Sequence, residues 1–106
     1  MKTEVAILHH DYPTGVREHV ESKLQELVKF GSDKVSMRAL LERQRYTHRV
    51  EIIANVPHGR VLVADARAEG FGGALDEALS RMTRLLKRSR EKRQTRHRRN
   101  RDRETL

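Results

Sequence analysis

The chain has 106 residues, of which 36% are hydrophobic and another 36% are charged. This size and balance suit one domain with a modest core and exclude a deep catalytic cavity. The absence of cysteine excludes disulfide frameworks, cysteine-ligated zinc, iron–sulfur centres and thiol nucleophiles. No apolar run is long enough to span a membrane or to form a signal peptide, so we expect a cytoplasmic protein.

The net charge of +8 is concentrated at the C-terminal end. Residues 1–80 hold 11 Lys/Arg and 12 Asp/Glu, whereas residues 81–106 hold 12 Lys/Arg and 3 Asp/Glu. This asymmetry indicates a polyanionic partner. Nucleic acid ranks first, because contacts to phosphates release counterions and arginine binds phosphate bidentately. An anionic membrane ranks second, although the tail has no apolar face to insert, and a tail that serves only solubility ranks third.

One strand, one helix and three more strands are predicted in the first two thirds of the chain. The apolar run from Thr3 to Leu8 is typical of a strand, and Pro13 is predicted at the first position of a helix that ends near Phe30. Alternating apolar residues then predict strands over 35–42, 50–56 and 61–68. Their short loops favour an antiparallel meander.

A second amphipathic helix is predicted from about Gly73 to about Lys92. The segment 70–73 is glycine-rich but lacks the lysine of a phosphate loop, so it is interpreted as a flexible turn. Residues 93–106 contain only Leu106 as an apolar side chain and are expected to be disordered in the free protein. The prediction is therefore a folded domain over 1–92 and a basic disordered tail over 93–106.

The predicted fold class is α+β, in the order β-α-β-β-β-α. One four-stranded sheet with two helices packed on one face accounts for every apolar stripe. The other face of the sheet should meet water, because it carries a set of alternating charges: Arg38, Glu42, Arg49, Glu51, Asp65 and Arg67.

No catalytic motif is present, so the protein is predicted not to be an enzyme and to need no cofactor, metal or small-molecule substrate. The residues leave open a transient site built from His9, His48 or His58. Tyr46 is expected to be exposed in a turn, but one ring does not make a stacking platform on the sheet. Recognition of an RNA backbone by the basic second helix is the mode that remains.

The segment from Arg17 to Leu24 (REHVESKL) resembles the R-E-Y-V-E-x-K-L helix of the ribosome hibernation-promoting factor family, in its short form. This family is also known as the ribosome-associated inhibitor A or protein Y family and was earlier labelled sigma-54 modulation protein. The run from Val50 to Ile53 resembles its third strand. The alanine-rich strand 64–68, the acidic turn at Glu69 and the helix start 74–76 are similar as well. The resemblance extends over about residues 1–92.

The resemblance implies the same β-α-β-β-β-α fold and a ribosome-associated translation inhibitor. Such a protein binds the small ribosomal subunit and its rRNA in the mRNA–tRNA channel, and silences or protects idle ribosomes in stationary phase or stress. It would be a monomer when free. The rRNA-binding residues that it implies are Arg81, Arg84, Lys87, Arg88, Arg90 and Lys92 on the second helix, with Lys23 and Arg17 as weaker candidates on the first. The alternative is a general binder of double-stranded or structured RNA.

Overall fold

The described residues form one four-stranded sheet and two α-helices. A computed structural model describes residues 2–8, 12–30, 34–57 and 60–104, and for residues 28, 29 and 92–104 it describes the backbone only. The elements in chain order are β1 (Lys2–Leu8), α1 (Val16–Glu26) followed by a 3₁₀ turn (Leu27–Phe30), β2 (Ser36–Arg43), β3 (His48–Val56), β4 (Arg60–Ala68) and α2 (Phe71–Glu104).

The strands lie in the order β1-β2-β3-β4. Strands β2, β3 and β4 are antiparallel neighbours, which confirms the predicted meander. Strand β1 pairs with β2 in parallel, with Val5 opposite Ala39. A parallel pair needs a crossover connection, and α1 supplies it.

The core lies between one face of the sheet and both helices. Every second residue of the central strands is buried there, and Ala39, Ile52 and Ala64 stand side by side in register. The helices complete the core with Val20 and Leu24 from α1 and Ala74, Leu75, Ala78, Met82 and Leu86 from α2. The predicted fold class, with two helices on one face of a four-stranded sheet, is confirmed.

Both helices begin at residues other than those predicted. Helix α1 begins at Val16 rather than Pro13, because Gly15 has a left-handed backbone with φ of 95° and cannot continue a helix from Pro13. Helix α2 begins at Phe71, and the Ala74 N–H donates to the Gly70 carbonyl at 3.2 Å. Gly72 and Gly73 therefore belong to the first turn of the helix and not to a flexible turn.

Helix α2 is also longer than predicted, because its backbone stays helical to Glu104. Residues 92–104 contain no Gly or Pro and are rich in arginine, a good helix former, so their propensity is compatible with this continuation. The disorder of the tail in the free protein stays a prediction. The domain boundary after residue 92 remains a prediction. A helix of 34 residues is about 50 Å long, which sets the long dimension of the 60 × 22 × 19 Å molecule. Among the described residues, no helix combines the length and the apolar character needed to cross a membrane.

The face of the sheet opposite the helices carries the predicted charges, centred on Arg49. The Arg49 guanidinium bonds to Asp65 at 2.8 Å and to Glu51 at 2.7 Å, and lies 3.7 Å from Glu42. The hydrogen bond from Arg49 lowers the pKa of the Asp65 carboxyl below its ordinary value. This open face also carries Val61 and Val63, both more than half exposed.

Candidate nucleic-acid interface

The predicted basic residues do not form one surface, because α1 and α2 cover different strands. Helix α1 packs on β1, whereas α2 packs on β3 and β4. Arg17 of α1 donates from Nη1 to the carbonyl oxygen of Val5 in β1. Arg81 of α2 donates from Nη1 to the carbonyl oxygen of Asp65 in β4. Since β1 and β4 are the two edges of the sheet, these arginines lie on opposite sides of the domain.

Three of the predicted residues are engaged by the protein itself. Besides its bond to β4, Arg81 donates to the Glu77 carboxylate one turn earlier in the helix. Lys23 lies 3.8 Å from the Glu26 carboxylate, and Arg17 holds β1. These side chains have fewer donors left for an external phosphate.

Arg84 and Arg88 are different, because both are exposed and form no ion pair or hydrogen bond with any other described residue. They stand four residues apart and so lie one above the other on the same flank of α2. Like charges at this spacing destabilise a helix by a few tenths of a kcal/mol, about 0.2–0.5. A polyanion bound to both arginines would attract each of them and offset their mutual repulsion.

Lys87 and Arg90 add two more exposed cations to this helix, and Lys87 reaches the turn that follows α1. Lys87 follows Arg84 by three residues, and its Nζ lies 4.9 Å from the centre of the Phe30 ring in the 3₁₀ turn. We call Arg84, Lys87, Arg88 and Arg90 the basic ridge; all four are exposed. Lys92 continues the helix in sequence, and its side chain lies outside the described atoms.

The length of α2 removes a simpler explanation for the basic ridge. Cations in the last turn of a helix are stabilised by its dipole, but this effect fades within one turn. Because α2 continues to Glu104, Arg84 and Arg88 lie near the middle of the helix. Among the described residues, the open face of the sheet offers no comparable positive surface, since three carboxylates surround its central arginine.

A second exposed group, the tip of the β2–β3 hairpin, was only partly predicted. Tyr46 is 77% exposed, which confirms the expected position of its ring in the turn. The Arg45 guanidinium lies 5.5 Å from the centre of that ring. The Gln44 N–H donates to the Thr47 carbonyl at 2.7 Å, and the Thr47 hydroxyl donates to the Gln44 side chain at 3.0 Å. The turn therefore holds Arg45 and Tyr46 together on the surface.

Three rings meet at the base of this hairpin, and no pattern in the sequence indicates this contact. The Tyr12 hydroxyl lies 2.9 Å from Nδ1 of His48, and the Phe71 ring centre lies 5.1 Å from that of Tyr12. These rings come from a loop, a strand and a helix. Of the histidines that left a transient site open, His48 belongs to this cluster, while His9 and His58 lie outside the described residues. No group of three or more potential metal ligands occurs in the described part of the chain.

Comparison with known proteins gives one family and a set of similar solved structures. Residues 4–94 match the model of the family described as sigma 54 modulation protein / S30EA ribosomal protein. The crystal structure of the Thermus thermophilus protein Y N-terminal domain is similar, with a TM-score of 0.73 and 21% identity over 83% of this chain and 98% of that chain. A ribosomal subunit interface protein from Coxiella burnetii has a TM-score of 0.72 and 16% identity over 86% of this chain and 99% of that chain. No curated protein sequence matches significantly. The family match runs from β1 through the whole basic ridge.

Proposed function

The chain belongs to the sigma 54 modulation protein / S30EA ribosomal protein family, and from that membership we propose that it is a ribosome-associated translation inhibitor of the hibernation type. It binds the small ribosomal subunit in the mRNA–tRNA channel and silences or protects idle ribosomes under stress. It acts in the cytoplasm, as a monomer before binding, and catalyses no reaction. The observation that carries the proposal is a pair of exposed arginines on α2, Arg84 and Arg88, which form no ion pair or hydrogen bond within the described part of the chain.

The geometry of α2 suits binding to a folded RNA. Met82 and Leu86 are buried in the core on the inner side of the helix, so they fix its rotation and hold the basic ridge outward. A guanidinium presents a planar fork that matches two phosphate oxygens. The engaged residues Arg17, Lys23 and Arg81 contribute only their remaining donors, and Lys92 stays a predicted contact. A domain held in the channel would exclude mRNA and tRNA by occupying their space.

Sedimentation through sucrose gradients tests this function. The purified protein is run with small subunits, whole ribosomes and an RNA duplex, over a series of salt concentrations. We expect it to migrate with the small subunit and the whole ribosome at physiological salt and to bind the duplex more weakly. Equal binding to the duplex and the ribosome would instead favour a general binder of structured RNA.

A pair of double variants tests the site. Arg84→Glu with Arg88→Glu should abolish binding to the small subunit, because it reverses the charge of the ridge. Arg38→Glu with Arg67→Glu makes the same change in net charge at two exposed residues of the open face and should leave binding largely intact. Unchanged binding of the first double variant would refute the assignment of the ridge.

A further inference from the structure

We propose that the tip of the β2–β3 hairpin is a second RNA contact, at which the Tyr46 ring stacks on an unpaired base. This inference rests on the proposed function, because it takes RNA as the partner. It concerns a different part of the surface from the basic ridge and a different kind of contact.

The Tyr46 ring is exposed and lies beside a planar cation. Tyr46 is 77% exposed, and the guanidinium carbon of Arg45 lies 5.5 Å from the centre of its ring. Aromatic rings and guanidinium planes are the two groups on which proteins stack RNA bases. A ring paired with a planar cation in this way is ready to receive a base.

The tip of the hairpin is positively charged. Residues 43–48 include Arg43 and Arg45 and no acidic residue, and both arginines are exposed. The nearest carboxylate along the chain, that of Glu42, lies 3.7 Å from Arg49 on the open face. The tip is therefore a small positive surface around an aromatic ring, which suits a base together with its phosphates.

Hydrogen bonds and ring contacts hold the hairpin in place. Two hydrogen bonds between Gln44 and Thr47 close the turn. At the base of the hairpin, His48 contacts Tyr12 and Phe71, so β3 is tied to α2 where the hairpin begins. A preorganised tip loses little conformational entropy when it binds, so more of the stacking energy remains as affinity.

The partner must offer an unpaired base. In a duplex the base faces are covered by neighbouring bases, whereas loops, bulges and single strands leave them accessible. Phe71 lies beside the base of the hairpin, and Arg84 and Arg88 follow it by 13 and 17 residues in the same helix, which is about 20 and 26 Å. The tip and the ridge would thus contact a folded RNA at two separate points.

The experiment compares the parent chain with Tyr46→Ala and Tyr46→Phe. Each protein is titrated with the small subunit, with a mixed-sequence single strand of about ten nucleotides and with an RNA duplex of that length. Tyr46→Ala should weaken binding to the subunit and to the single strand by about 5- to 150-fold, the loss of one stacked base. Tyr46→Phe keeps the ring and should stay within about twofold of the parent in the same titrations. Binding to the duplex should be equal for all three proteins.

Fluorescence gives an independent readout. The chain has two tyrosines and no tryptophan, so the difference in emission between the parent and Tyr46→Phe isolates Tyr46. Stacking should quench that difference when the single strand is added. Circular dichroism checks that both variants keep the fold, as expected for an exposed side chain.

The outcomes separate this inference from the proposed function. A loss of affinity in Tyr46→Ala that is absent in Tyr46→Phe supports the hairpin contact, whether the loss is measured with the subunit or with the single strand. Equal affinities of the three proteins in both titrations overturn it, as does failure of the parent chain to bind either RNA. If the subunit is not bound but the single strand shows the difference, the hairpin contact stands and the ribosomal function falls.

Discussion

Replacing both central arginines of the basic ridge by glutamine should make binding to the small subunit less sensitive to salt. Each phosphate contact contributes a slope of about −0.7 to −0.9 to the dependence of log K on log salt. Arg84 and Arg88 are the two ridge arginines on the same flank of α2 and have no described ion-pair or hydrogen-bond partner, so we assign one phosphate to each. Their loss should therefore reduce the slope by about 1.4–1.8. Between about 50 and 200 mM salt, the affinity of the parent should fall about 7- to 12-fold more than that of the variant.

The assay is a binding titration of the parent and of Arg84→Gln with Arg88→Gln at four or more salt concentrations. The matched control is Arg38→Gln with Arg67→Gln, which removes the same charge from the open face and should keep the parent slope. If both double variants reduce the slope equally, binding depends on net charge and not on the ridge. If neither reduces it, the ridge does not contact phosphates, and the reasoning is refuted.

Three other perturbations test the fold. The pKa of Asp65 is held below its ordinary value of 3.8, so the ionised carboxylate stabilises the fold fully above that pH, and this stabilisation is lost as the pH falls through the folded pKa. The free energy of unfolding measured with urea should therefore fall more steeply on acidification in the parent than in Asp65→Asn. Leu41→Ala, at a fully buried position, should lower the free energy of unfolding by about 2–5 kcal/mol, far more than Leu8→Ala at a 43% exposed position. Gly15→Ala should cost about 1–2 kcal/mol because φ is positive, whereas Gly72→Ala, in the helix with open space around it, should raise the thermal midpoint.

Equal acid sensitivity of the parent and Asp65→Asn would contradict the role of the Arg49 network. A cost for Leu41→Ala no larger than for Leu8→Ala would contradict the register of β2. Stability changes of the same sign in Gly15→Ala and Gly72→Ala would contradict the backbone conformation described at one of the two glycines.

The sequence was most informative where a local pattern decides the structure. Alternation placed Leu41 and Ile52 on the core face, and short loops indicated the meander. The pattern did not name the partner of β1, because a lone apolar strand satisfies its hydrogen bonds equally well beside either edge. Nor did it show that Gly15, and not Pro13, determines where α1 begins, since that depends on one backbone angle.

The candidate site was likewise predictable from the sequence only in part. The excess of positive charge pointed to the second helix, and Arg84 and Arg88 lie exposed there. That Arg17 and Arg81 bond to strand carbonyls depends on how the helices lie on the sheet, which no spacing in the sequence encodes. The contact between Tyr12 and His48 is a tertiary contact of the same kind.

Arg17 and Arg81, which lie at the two edges of the sheet, also affect how copies of this protein could associate. An edge strand presents unpaired carbonyl and N–H groups and can recruit a strand from a neighbouring chain, which is a common route to aggregation. Here a guanidinium lies across each edge, from Arg17 on β1 and from Arg81 on β4. An incoming strand would have to displace a positive charge from a carbonyl before it could pair. Each helix thus engages one carbonyl on a border of the sheet, which leaves an incoming strand one acceptor fewer there.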